Sequence, residues 1–161
     1  KFIKMDAQGL LDKFKKNIET NILTHQENLS KNIVHYEQQI NDLVEKIANN
    51  PQLMPFVEAL KFASNTLEQI TKAVFVHRHD DKHIIGTSAN DYLHIMGYVS
   101  YAYMWAKMAE ASVGKKQEAF HDGKIKTGLF FMQRLLPQIS ALAVAIVQGG
   151  KSTMNLNVEQ F

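Results

Sequence analysis

The sequence predicts an all-α chain, an up-down-up-down four-helix bundle with a short extra helix on its N-terminal side. Three observations carry this. Along residues 29–47 and again along 56–74, apolar residues recur at alternating spacings of four and three, the narrow seam of a helix packed against other helices. Only 3 prolines and 8 glycines occur in 161 residues, too few for a loop-rich all-β fold. Turn-forming clusters separate four long apolar stretches, and short connections between such helices make an antiparallel bundle.

The first element is expected at about 7–23, with Leu11, Phe14, Ile18 and Ile22 on one face and Asp6 as its N-cap. Asn21 and the capping-box pattern Thr24-x-x-Glu27 offer a break near His25, although one long bent helix fits equally well. The seam Leu29, Ile33, Tyr36, Ile40, Leu43, Ile47 follows and ends at Asn49-Asn50-Pro51, since proline disfavours helix at the residue before it. The next seam is Phe56, Leu60, Ala63, Leu67, Ile70 and Val74, closing in the polar run 77–83. A third helix is expected over about 89–113, capped by Ser88 or Asn90, with small Gly97, Ala102 and Ala106 admitting a close neighbour. Gly114 marks a turn. The last helix is expected from Ala119 or Lys124 to Gln148, with a kink at Pro137 and Gly149 as its C′ residue. The organisation is a single helical domain over 1–161, with a bundle core of about 25–149 and a weakly patterned tail over 150–161. A start at Lys1 suggests a piece of a longer polypeptide.

A net charge of +2 with both signs interspersed does not point to nucleic acid or an anionic membrane. Lys13, Lys15, Lys16 and Lys31 are spaced by acids and read as a solvated face. The absence of cysteine excludes disulfides, thiolate zinc sites and cysteine nucleophiles, and fits a reducing, cytoplasmic setting. No transmembrane segment is expected, because the most apolar window, 129–147, is interrupted by Gln133, Arg134, Pro137 and Gln138, whereas a span needs roughly 20 mostly apolar residues.

Candidate chemistry is thin. His79 and His83, four apart beside His77, Asp80 and Asp81, could chelate a metal. They read better as a solvated helix end, where histidines complement the negative pole of the dipole. Glu118-x-x-His121 is half of a di-iron bundle signature, which needs two such motifs and two further carboxylates. His94 has no orienting partner that would make it a base. Tyr98, Tyr101, Tyr103 and Trp105 cover most of a helix circumference, so they read as core and interface rather than a ligand cage. There is no phosphate-binding glycine loop after a strand and no Gly-x-Ser-x-Gly elbow.

Several residues in the last two helices form a pattern of another kind. They are Tyr92-Leu93 with Gly97, Trp105, Lys124, Phe130 with Arg134-Leu-Leu-Pro137, and Gly149. Over 89–156 the chain resembles the appended C-terminal helical domain of the long acyl-CoA dehydrogenases, the acetyl-CoA dehydrogenase C-terminal-like domain. It departs from that family at His94, where members often have Arg, and at Gly128-Leu129, where they often have Ala-Arg.

The resemblance implies a parent flavoenzyme that uses FAD for α,β-dehydrogenation of acyl-CoA thioesters in fatty-acid metabolism. Earlier domains of that enzyme hold the flavin and substrate. It also implies that this segment packs on the enzyme body and shapes a homo-oligomer. The nearest string to the family's base segment, Ile84-Ile-Gly-Thr87, lacks a glutamate, so no catalytic, cofactor-binding or metal-binding residue is expected within the segment. The alternative is a stand-alone helical interaction module, and a metal-dependent bundle enzyme ranks third.

Overall fold

The structure is a computed structural model, and it describes residues 16, 31–115, 118–155 and 157–160. The expected first helix, its Asp6 cap and the break near His25 lie outside the described residues. The chain divides into two units, 1–39 and 40–161, and the bundle belongs to the second.

Helix α1 covers 31–47, and its part in the second unit buries Ile40, Leu43, Val44 and Ile47. It stops at the predicted place. Asn50 Oδ1 accepts the Gln52 backbone N–H at 3.0 Å, capping the short 3₁₀ turn Pro51–Leu53. Helix α2, Met54–His77, buries Phe56, Leu60, Ala63, Leu67 and Ile70, the predicted seam, and leaves Val74 half-buried.

Helix α3 is Ile84–Ser112 and starts five residues before the expected position. Ser88 and Asn90 are not its caps. Ser88 lies inside the helix, buried, with its hydroxyl donating to the Ile84 carbonyl. The chain instead turns at Asp81, whose Oδ1 accepts the His83 backbone N–H at 2.9 Å. An Asx turn of this kind starts a helix as well as a serine cap does. Ala102, Ala106 and Ala109 are fully buried, as their size suggested, but a Cβ at Gly97 would meet nothing within 4 Å. Gly97 therefore admits no neighbour.

After a 3₁₀ turn at Val113–Lys115, helix α4, Ala119–Phe130, continues through a π turn, Phe131–Leu135, and a 3₁₀ turn, Leu136–Gln138, into α5, Ile139–Val147. This is how the chain takes up Pro137. The proline lacks an N–H to donate back along the helix, and the widened turn before it, with Leu136 N–H on the Phe131 carbonyl, re-phases the ladder. Consecutive Phe131 and Met132 are consequently both buried. Gly149 ends the helix with φ of +70°, the left-handed C′ position expected of it. A short helix α6, Lys151–Met154, follows.

Helix α3 packs on α2, α4 and α5, and α2 also packs on α5. Phe56, Leu60, Leu67, Ile95, Val99, Leu136 and Ile139 fill the core. Lys46 and Glu110, 2.6 Å apart, tie α1 to α3. The described residues contain no strand, and the four-helix bundle is the predicted fold. By length and composition alone, and contrary to the expectation from its polar interruptions, Ala119–Val147 is apolar enough to cross a membrane, and 28% of its most apolar window is buried in the bundle.

Candidate functional site

At one end of the bundle, Asp81 joins two distant parts of the chain. Its second oxygen accepts the Gly150 N–H at 2.7 Å. The two glycines are there for room. A Cβ at Gly149 would lie 2.8 Å from Asp81 Oδ2, and one at Gly150 would lie 2.7 Å from the His83 Cβ. The backbone N–H groups of Gly150 and then His83 stabilise the carboxylate and hold its pKa below the usual value. Beside this clamp lies a cavity of about 300 Å³ lined by Thr87, Ser88, Asp91, Gln148 and Thr153. The rest of the polar run is surface. His77, His79 and Asp80 are exposed. Arg78 donates through Nε to His79 Nε2 at 3.2 Å and stacks on Phe75, 3.6 Å from the ring centre. Among the described residues no three His, Asp or Glu side chains are grouped to hold a metal.

The predicted Glu118/His121 pair sits where α4 begins. His121 lies in the first turn, its Nδ1 3.1 Å from the Ser112 hydroxyl and its Nε2 3.3 Å from Glu118. The pair thus joins the end of α3 to the start of α4. One turn on, Lys124 lies over the Trp105 and Phe120 rings at 5.8 and 5.3 Å. A further turn on, Gly128 presses on the core. A Cβ there would lie 2.8 Å from Phe56 Cε1 and 3.5 Å from the Trp105 ring. The Phe56 ring therefore crowds any side chain added at this position.

The aromatic residues of α3 are spread rather than caged. The Tyr92 hydroxyl is 2.7 Å from Thr71 Oγ1 on α2, and Tyr98 donates to Gln138 Oε1 at 2.9 Å, just past Pro137. Tyr98 and Tyr101 both touch the Phe131 ring, at 6.3 and 6.2 Å between centres. Tyr103 faces Lys107 at 5.3 Å. His94 and Leu93 are exposed.

Several residues of the sequence pattern are joints between helices, whereas Leu93 and Phe130 are exposed and Gly97 has open space around it. Trp105 meets Lys124, Tyr92 meets α2, the segment after Pro137 meets Tyr98, and Gly149 shapes the Asp81 clamp. Lys124 does not open the last helix, which begins at Ala119. Two concavities of the bundle do not fit a flavin dinucleotide. The polar cavity presents Asp91 where the phosphates would need positive charge, and a second concavity, between α2 and α5, is lined by Ile70, Ala73, Val144, Val147 and uncharged polar side chains. Sequence reading missed the Asp81–Gly150 bond and the Phe56–Gly128 contact. Each joins positions far apart in the chain, and the only local signal was an unexplained glycine.

No curated protein matches the chain. Residues 37–157 match the family model described as "Acetyl-CoA dehydrogenase C-terminal like". That match covers most of the chain, extends well upstream of the pattern in 89–156, and takes in the joints above. The chain belongs to this acetyl-CoA dehydrogenase C-terminal-like family.

Proposed function

We propose that this chain is the accessory C-terminal domain of an FAD-dependent acyl-CoA dehydrogenase acting in fatty-acid oxidation. In this reading it contributes no catalytic residue, packs on the enzyme body and helps form its homo-oligomer in the cytoplasm. Family membership over residues 37–157 carries the reading. Two features of the bundle support it. The side chains at its helix joints are engaged in holding helices together. Large apolar side chains are also left outside: on α3, Leu93, Tyr101 and Met104 are 70, 62 and 51% exposed, the kind of surface that marks a protein contact.

The parent reaction removes an α-proton and a β-hydride from an acyl-CoA, with FAD as electron acceptor. Its base and flavin pocket belong to other segments of the parent. The test is immunodetection of the native polypeptide with an antibody to this segment, followed by an acyl-CoA oxidation assay on the captured protein. The expected result is a polypeptide of several domains that reduces an electron acceptor when given acyl-CoA. A native product of one domain without this activity would replace the reading with that of a stand-alone interaction module.

A further inference from the structure

We infer that the cavity beside the Asp81 clamp binds a primary ammonium group carried on a short alkyl chain. The inference goes beyond the flavoenzyme reading and does not depend on it.

The cavity holds about 300 Å³, the lower end of the range for small-molecule sites. Its ligand is decided by which polar groups of the lining are still free to act. The Thr87 hydroxyl donates to the His83 carbonyl at 3.1 Å, and the Ser88 hydroxyl donates to the Ile84 carbonyl. A hydroxyl has one hydrogen, so both have only lone pairs left to present. The backbone N–H groups of Thr87, Gln148 and Gly149 are already used at their own helix ends, on carbonyls of His83, Val144 and Ile146. Asp91 is half-buried, and its carboxylate can only accept. The Asn90 amide reaches it at 3.4 Å, a long bond, and among the described residues no cation pairs with it. The Gln148 amide can turn its oxygen inward. Helix α5 ends at the same place, at Val147, and the negative pole of a helix favours a cation.

The lining is therefore rich in acceptors and holds one uncompensated negative charge. An ammonium is its complement, with positive charge, three donors and no acceptor. Thr87, Ser88 and Asp91 stand at i, i+1 and i+4 on α3, so the first and last share a face one turn apart and three tetrahedral N–H bonds can be divided among them. A planar guanidinium would spend its paired N–H groups on the carboxylate alone. A divalent metal ion would need more ligands than one carboxylate, and among the described residues no three His, Asp or Glu side chains are grouped. Ala145 and Ile146 complete the lining and give the methylenes an apolar contact.

The test is an NMR titration of the 161-residue chain with n-butylammonium chloride. It should give saturable amide shifts confined to about 87–91 and 145–153, which sodium chloride at the same ionic strength does not reproduce. Asp91→Asn keeps the shape and should weaken binding by about tenfold or more, the loss of a charge-assisted hydrogen bond. Gln148→Glu adds a second carboxylate and should tighten binding, a gain that misfolding cannot produce. Tetramethylammonium, which has the charge but no N–H, should bind about tenfold more weakly. Nα-acetyl-lysine methylamide separates two sources of the group. Binding tighter than that of n-butylammonium supports the site as one for a protein lysine, and weaker binding supports it as one for a free amine. The inference is overturned by the absence of a saturable shift, by Asp91→Asn binding as well as the parent chain, or by tetramethylammonium or methylguanidinium binding as tightly as n-butylammonium.

Discussion

The joint between α3 and α4 and the groove between α2 and α5 use the same kinds of residue in opposite ways. At the joint, Phe56, Trp105 and the bare backbone of Gly128 are pressed together until a single added methyl would collide, 2.8 Å from the Phe56 ring. At the groove, Val144, Val147 and Ala73 line open space. Apolar composition does not separate the two. Filling does, because a close-packed region responds to one methylene while an open one does not. The joint is filled by the fold itself, and the groove is left open by it.

The largest effect that would break this contrast is at Phe56, which is fully buried. Phe56→Ala should cost about 3–5 kcal/mol of stability by denaturant melting, the range for emptying a well-filled aromatic site. Gly128→Ala comes next. Helix propensity alone would favour alanine by about 1 kcal/mol, but overpacking costs about 1–3 kcal/mol, so a net loss of about 1 kcal/mol is expected. Gly97→Ala is the matched control with open space around it, and it should gain about 0.5–1 kcal/mol. Val144→Glu, at an exposed site in the groove, should change stability by no more than about 0.5 kcal/mol.

The Asp81 clamp adds a pH dependence to the same comparison. Its carboxylate is stabilised in the folded state, so its pKa there lies below that of the unfolded chain. The clamp should therefore contribute fully above the unfolded value of about 3.9 and be lost as the pH falls through the lower folded value. Thermal melts of Asp81→Asn against the parent chain check this. The two curves should lie apart near neutrality and converge in acid.

Most of the bundle could be read from the sequence because its determinants are local. The seam from Phe56 to Ile70, the stop at Asn50-Pro51 and the left-handed Gly149 each depend on a few neighbouring residues. The start of α3 could not be placed, because Asp81 outcompetes Ser88 as the turn-former and is itself fixed by Gly150, across the fold. Gly97 and Gly128 look alike in sequence, and only the position of Phe56 gives one a structural duty. Pro137 announced a distortion, but the π turn that absorbs it is written in the burial of both Phe131 and Met132.

The most direct test of the account is the absorption spectrum of the native protein that carries this segment, captured through it and titrated with acyl-CoA without oxygen. The account predicts oxidised-flavin absorption that bleaches on adding acyl-CoA, together with an isolated segment that binds no flavin. A native protein without flavin, or an isolated segment that itself holds flavin and bleaches with acyl-CoA, would contradict it.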